Sequence, residues 1–370
     1  MTIKKQEPVA SAVTIRFNHK RTEFYSVLKD RVEGYFRNNH ISKKGTWSMF
    51  AKTIIMFSLY FLAYGLLVSN VFEEKVIWLL LAAGMGMAMA GIGLCVMHDV
   101  NHGGFSESKA LNKFLTYFSM HLLGGHSLNW RIQHNQIHHS YTNIHQHDED
   151  IAPRGILRFE PHSAKKPVHR FQFLYAWFFY GMMTLMWCTV KDFRQIIRFN
   201  KQKLLTGKTN LTKELVVIAL SKVAYFGYML LPFFLIGEMT FLNWLSGFLL
   251  MHFIAGLGLA TIFQAAHVVT ETEFPLPDAS GHLTDHWAEH QLRTTMNFAM
   301  RGKIFTWMIG GLNYQVEHHL FPTICHIHYP ALSKIVARTA LEFSLPYHSQ
   351  KTFAGAIYSH GKTLYRLGRN

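Results

Sequence analysis

Three clusters of histidine dominate the chemistry available to this chain. HDVNH carries His98 and His102, HNQIHH carries His134, His138 and His139, and QVEHH carries Gln315, His318 and His319. On a helix, residues four apart share a face, so His98 pairs with His102 and His134 with His138, while His139 points about 100° further round. The second cluster can therefore serve two neighbouring metals. His267 in FQAAHVV, at the end of a long apolar run, is a further candidate.

Eight imidazoles are too many for one ion, since about four fill a structural zinc and three a catalytic one. They suit two. A thiolate-free imidazole site accepts Fe, Zn, Cu or Ni, so the residues alone leave the metal open. HExxH is absent, which excludes a zincin protease, and so is the ExxH of carboxylate di-iron bundles. A bis-histidine haem needs facing histidines within spans, whereas these sit at span ends. The cysteines are Cys95, Cys188 and Cys325, without a CxxC, so neither a disulfide framework nor a thiolate zinc site is expected.

A ligating histidine normally donates its other N–H to a carboxylate or carbonyl. Asp99 and Glu317 inside the clusters, and Asp148 and Asp150 after the second, are the candidates for that role. His145, His147 and His290 are ambiguous. His121, His126, His252, His282 and His286 are expected to be polar groups at helix ends.

Such clusters need rigid elements that hold them at one depth. Hydrophobic residues make up 49% of the 370 and charged residues 16%, with a mean hydropathy of +0.07. That balance suits a membrane protein with sizeable water-facing parts. Residues 1–46 are polar and basic, with no signal-peptide core, and 21–40 carry an apolar stripe on a basic helix. The stripe fits a helix lying on a membrane surface or one packed on a polar domain. Apolar runs follow at about 47–68, 76–97, 171–190, 215–237 and 241–268, each near the ~20 residues a crossing requires. Residues 114–125 are too short to span and read as an interfacial helix. The small residues of AAGMGMAMAGIG point to close helix contact in a membrane, with room for a thin ligand as a compatible second use.

If the three clusters share one site, an even number of spans separates the second from the third. Residues 191–213 carry seven Lys or Arg, against none in 237–243 and one in 69–75. Basic loops stay cytoplasmic, which puts 191–213 on the side of the N-terminus and 171–190 along the interface. The expected fold is all-α and integral to a membrane: four spans in two hairpins, with a cytosolic helical cap holding a di-metal site. The net charge of +15 follows from this topology, and no nucleic-acid partner is indicated. Transport of a metal would call for ionisable residues facing each other within spans; His252 is the main such candidate and Lys222 sits near a span end, so transport is not indicated.

HDVNH, HNQIHH and QVEHH resemble, in order and approximate spacing, the three histidine boxes of the membrane fatty acid desaturases. The flanks NWRIQHNQIHHSYTN, DEDI and GLNYQVEHHLFP are similar too, and the likeness runs from about His98 to Pro330. It implies two irons held by His98, His102, His134, His138, His139, His318 and His319. Similarity to the stearoyl-CoA branch adds His267. Gln315 at the head of the third box, where the stearoyl-CoA branch has His, is a further candidate for the metal, directly or through water, and resembles the front-end group, which places a double bond between an existing one and the carboxyl end. The implied reaction takes an acyl chain, O₂, two electrons and two protons to an olefin and two waters. A hydroxylase of an alkane, sterol or carotenoid shares the first hydrogen abstraction and is the alternative. The acyl carrier would be CoA, acyl carrier protein or a membrane lipid. The chain has no HPGG motif of a fused cytochrome b5, so a separate ferredoxin or cytochrome b5 is the expected electron donor. The expected location is a bacterial inner membrane, with the site on the cytoplasmic side.

Overall fold

The computed structural model describes residues 15–18, 23–152, 155–207 and 209–370. Residues 1–14 and 19–22 of the basic N-terminal segment lie outside the described residues.

After α1 (Glu23–Asn38), four helices among the described residues are long and apolar enough to cross a membrane: α2 (Trp47–Val68), α3 (Lys75–Asn101), α8 (Leu211–Leu235) and α9 (Phe241–His267). Helix starts are capped locally. Asn210 Oδ1 accepts from Lys213 N at 3.2 Å, and Thr240 Oγ1 accepts from Asn243 N at 3.2 Å. Each side chain pairs a backbone donor that has no partner within its own helix.

Between α3 and α8 run α4 (Lys109–Leu122) and the second-cluster helix α5, made of Ser127–Trp130, Arg131–His138 and His139–Tyr141. The apolar run 171–190 is not one straight element. It falls in α6 (Pro167–Gly181) and α7 (Met183–Lys201), which meet at 54° and would make a fifth span only if taken together. The basic stretch expected as a loop from 191 is helical through Lys201.

α3 and α9 cross at the small residues. A Cβ on Gly86 would lie 2.5 Å from the Met251 carbonyl, so only glycine permits this approach. Gly93, two turns on, is also closely packed, a Cβ there lying 2.8 Å from Leu259 and 2.9 Å from Leu123, and it borders a cavity as well.

The C-terminal part adds α10 (Trp287–Thr294), α11 (Gln315–Leu320), α12 (Tyr329–Glu342) and α13 (Phe353–Leu367). A short parallel pair joins Asn297–Phe298 to Ser349–Gln350. The α1 stripe Phe24, Leu28, Val32 and Phe36 is buried against Leu332, Val336 and Ala340 of α12 and Leu320 of α11. Of the two arrangements the sequence allowed, the apolar face of this helix takes the protein-covered one. Arg31 fixes it from the polar side, bonding Thr339 at 2.9 Å and Glu342 at 2.6 Å. An element far from the clusters in sequence therefore braces the helices that carry the third.

Candidate metal centre

Two of the cluster-bearing segments leave ordinary α geometry. Ile92–Met97, just before His98, and Arg131–His138 wind as π-helical turns. Such turns are rare and recur at functional sites, where i→i+5 bonding puts an extra residue in the turn and re-aims side chains. The consequence is visible at the second cluster. His139 does not point away from His134: their Nε2 atoms are 3.3 Å apart.

The clusters converge. His98, His102, His134 and His318 place ligand atoms within 4.8 Å of one another, and so do His138, His267 and His319. His139 joins His318 and His319 in a third group that overlaps both. Four separated stretches of chain thus meet in one nest of imidazoles.

Hydrogen bonds decide which nitrogen each ring presents. His138 Nδ1 donates to Asp148 Oδ2 at 3.0 Å, His267 Nδ1 to the Thr294 carbonyl at 3.3 Å, and His319 Nδ1 to Gln291 Oε1 at 2.8 Å. His318 Nδ1 lies 3.3 Å from the Tyr329 hydroxyl. In all four rings Nε2 is buried and finds no hydrogen-bond partner among the described residues. The same holds for His98 Nδ1, His102 Nε2 and His139 Nδ1. One orphaned buried nitrogen is costly, and seven aimed together would be prohibitive without a cation to receive their lone pairs. The donor set fits two metal ions.

Electrostatics agree. Burial, reinforced by neighbouring imidazoles, holds His134, His139, His318 and His319 well below the ordinary histidine range. These rings are neutral, the form that binds metal. Burial opposes a charge on His138 as well, but Asp148 and Asp150 keep it above the usual value. Asp150 is pushed up to about 6 by burial and by the adjacent Asp148 charge. It also accepts a hydrogen bond from Gln133 Nε2.

The other carboxylates point elsewhere. Asp99 Oδ2 accepts from His326 Nδ1 at 2.8 Å, and Asp99 Oδ1 comes no nearer to His98 Nδ1 than 3.9 Å. Glu317 accepts from Asn297 and Tyr347, each at 2.8 Å, rather than from a cluster histidine. Both residues adjoin a cluster histidine in sequence, and a helix rotates such a neighbour about 100° off its face. His145 bonds Glu160 at 2.7 Å, and His290 Nε2 bonds the Thr142 carbonyl at 2.7 Å. His252 is a buried group tied to Tyr225 at 2.8 Å, not an end group.

Sequence reasoning missed Gln291, Thr142, Tyr329, His326 and Lys52. Gln291 is one residue past His290, in a stretch that held attention only for its histidine. The others carry no local signal.

A cavity of about 890 Å³ opens beside the nest, within the ~300–1,000 Å³ range of ligand sites. Leu94, Met97, Leu259 and Phe263 form its apolar wall, and His98, His134 and Gln315 lie at its inner end. Gln315 Nε2 donates to the Leu312 carbonyl at 2.8 Å.

A family model for fatty acid desaturases matches residues 75–351. The chain belongs to this family. Among its desaturase relatives, an sn-1 linoleoyl-lipid 6-desaturase of a Synechocystis species is 35% identical over 368 residues, covering 97% of this chain and 99% of that protein. An acyl-lipid (8-3)-desaturase of Physcomitrium patens is 32% identical, over 94% of this chain and 72% of the relative. An sn-1 linoleoyl-lipid 6-desaturase of Arthrospira platensis is 31% identical, over 95% and 94%.

Proposed function

We propose that the protein is a front-end acyl-lipid desaturase. Its seven orphaned ring nitrogens, gathered in one nest beside a cavity that His98 and His134 line, carry the reading. Relatives named for 6- and (8-3)-desaturation support the front-end position.

His98, His102, His134 and His318 would hold one iron, and His138, His267 and His319 the other, with His139 between them. Bound iron supplies the activation of O₂ and the removal of hydrogen from an unactivated C–H bond. The chain's own residues do the rest. Leu94, Met97, Leu259 and Phe263 line the acyl path, exclude water and fix which carbons come to rest beside His98 and His134. Asp148, Gln291 and the Thr294 carbonyl hold the Nδ1 protons, so the rings stay in one tautomer.

Four spans in two hairpins would place every cluster on the cytoplasmic side under the helical cap, and the basic stretch around 191–213 supports that orientation. A bacterial inner membrane suits the cyanobacterial relatives. A separate ferredoxin or cytochrome b5 would deliver the electrons. The test is fatty-acid profiling of a host expressing the chain and fed linoleic acid. A new acid with its extra double bond on the carboxyl side is expected. A hydroxylated product would overturn the reading.

A further inference from the structure

Just before the third cluster, the short helix Lys303–Met308 packs one face and leaves the other bare. Phe305 lies against Phe353, with ring centroids 5.0 Å apart. Ile304, Trp307 and Met308 are 78%, 40% and 54% exposed. Steps of three and four residues put these three on the same side of the helix. Apolar residues exposed singly are ordinary, whereas a group of them rimmed by polar residues marks a membrane or partner surface. Arg301 and Lys303 supply the rim: both are exposed, and neither makes an ion pair among the described residues.

The depth of this helix is set by α3. Cys95 Sγ donates to the carbonyls of Trp307 and Met308, at 3.6 Å and 3.3 Å. Gly310, at a φ of +64°, comes so near the Leu94 carbonyl that a Cβ would collide with it. Cys95 lies twenty residues along α3 from Lys75, roughly 30 Å, which is the thickness of the hydrocarbon core. The contact therefore falls where acyl chains give way to headgroups, on the side of the metal nest. Leu80 and Met87, seven residues apart on one face of α3, are exposed, and so is Trp47 at the start of α2. Lys52 of α2 places its ammonium 5.2 Å from the Trp307 ring centroid. Trp47 and Trp307 thus stand at the level where amphipathic rings gather in a bilayer.

We propose that the helix Lys303–Met308 is a membrane anchor of the C-terminal part. Ile304, Trp307 and Met308 sit among the acyl chains of the leaflet nearest the nest, and Arg301 and Lys303 meet its anionic headgroups. The anchor bears on the site as well. Asn313, two residues before Gln315, donates to Thr306 Oγ1 at 2.9 Å, and its carbonyl accepts from Phe298 N at 3.0 Å. The third cluster therefore hangs from an element seated in the membrane, independently of α2 and α3. Six residues with Lys303 and Thr306 among them are too few to show in a hydropathy reading.

Cys95, Cys188 and Cys325 are buried, so a nitroxide label on the folded full-length protein reports an introduced cysteine alone. Labels at Ile304→Cys, Met87→Cys and Arg338→Cys are read in vesicles of phosphatidylcholine and phosphatidylglycerol. The two relaxing agents are oxygen, which concentrates among acyl chains, and a nickel chelate, which stays in water. I304C and M87C should relax more with oxygen, and R338C, exposed on α12, more with nickel. In R301Q/K303Q the label at Ile304 should shift towards nickel. I304C relaxing like R338C beside a lipid-facing M87C overturns the proposal. So does a label at Ile304 shielded from both agents, because a protein surface such as a second copy then covers the face. An unshifted label in R301Q/K303Q overturns the headgroup contact. M87C facing water would sink the reading of α3 as a span, and the anchor with it. No turnover is needed, so the desaturase reading stands or falls separately.

Discussion

His138 donates its Nδ1 proton to Asp148 at 3.0 Å, and both side chains are fully buried. The bond fixes the ring so that Nε2 faces His267 and His319 across the nest. Asp148 is held in turn by the backbone N–H groups of Asn143 and Asp150, each at 2.9 Å. Removing the carboxylate frees the ring to flip and to change tautomer. Asp148→Ala should lower iron affinity about 10–100-fold, the usual effect of losing such a partner. Iron retained after a graded chelator challenge is the measurement. Retention equal to wild type would mean that the ring is held by its neighbours alone.

His138→Ala and His318→Ala probe the two halves of the nest separately. Each removes one orphaned nitrogen from a different group of ligand atoms. Both variants should insert into the membrane and yield none of the new fatty acid. Purified protein should carry about one iron fewer per chain, because a site short of a ligand loses its ion while the other remains. Normal product from either variant would remove the two-metal argument.

The histidine clusters were legible because metal-ligand spacing is local: four residues make one helical turn, and the sequence displays it directly. The long apolar helices were legible for the same reason, as continuous apolar runs. The π-helical turns were not, because a slip from i+4 to i+5 bonding leaves no mark in residue type. That slip brings His139 to within 3.3 Å of His134, where α geometry had it pointing away. Gln291 and His326 escaped notice because their roles are set by contacts across other elements, with His319 28 residues on and with Asp99 227 residues back. The bend between α6 and α7 lies inside an apolar run, and hydropathy does not register bends.

Lys52 Nζ lies 2.9 Å from His326 Nε2, and His326 Nδ1 donates to Asp99 Oδ2 at 2.8 Å. All three are buried. Lys52 has only protons to offer, so the imidazole accepts at Nε2 and donates at Nδ1, joining cation to carboxylate through one ring. Lys52→Met leaves the Asp99 charge buried without its counter-ion, a loss of about 3–5 kcal/mol. The detergent-solubilised variant should melt well below wild type, and K52M/D99N should recover most of the difference. Equal melting of K52M and wild type would show that Asp99 does not depend on the lysine.

Gln315 is 2% exposed, starts α11 and lines the cavity with His98 and His134. Its amide nitrogen is committed to the Leu312 carbonyl. The seven orphaned nitrogens belong to other residues, so the metal count should not depend on this side chain. Its place at the inner end gives it a different task, shaping the wall beside which the reacting carbons rest. Gln315→His replaces the planar amide with a ring that cannot keep the same bond to Leu312 and narrows the cavity. Iron content should stay at the wild-type level while product falls about five- to tenfold, the worth of one buried hydrogen bond of ~1–1.5 kcal/mol. Iron analysis beside fatty-acid profiling reads both. Loss of iron together with activity would instead make Gln315 part of the metal-holding set, and unchanged values of both would leave it no role in the site.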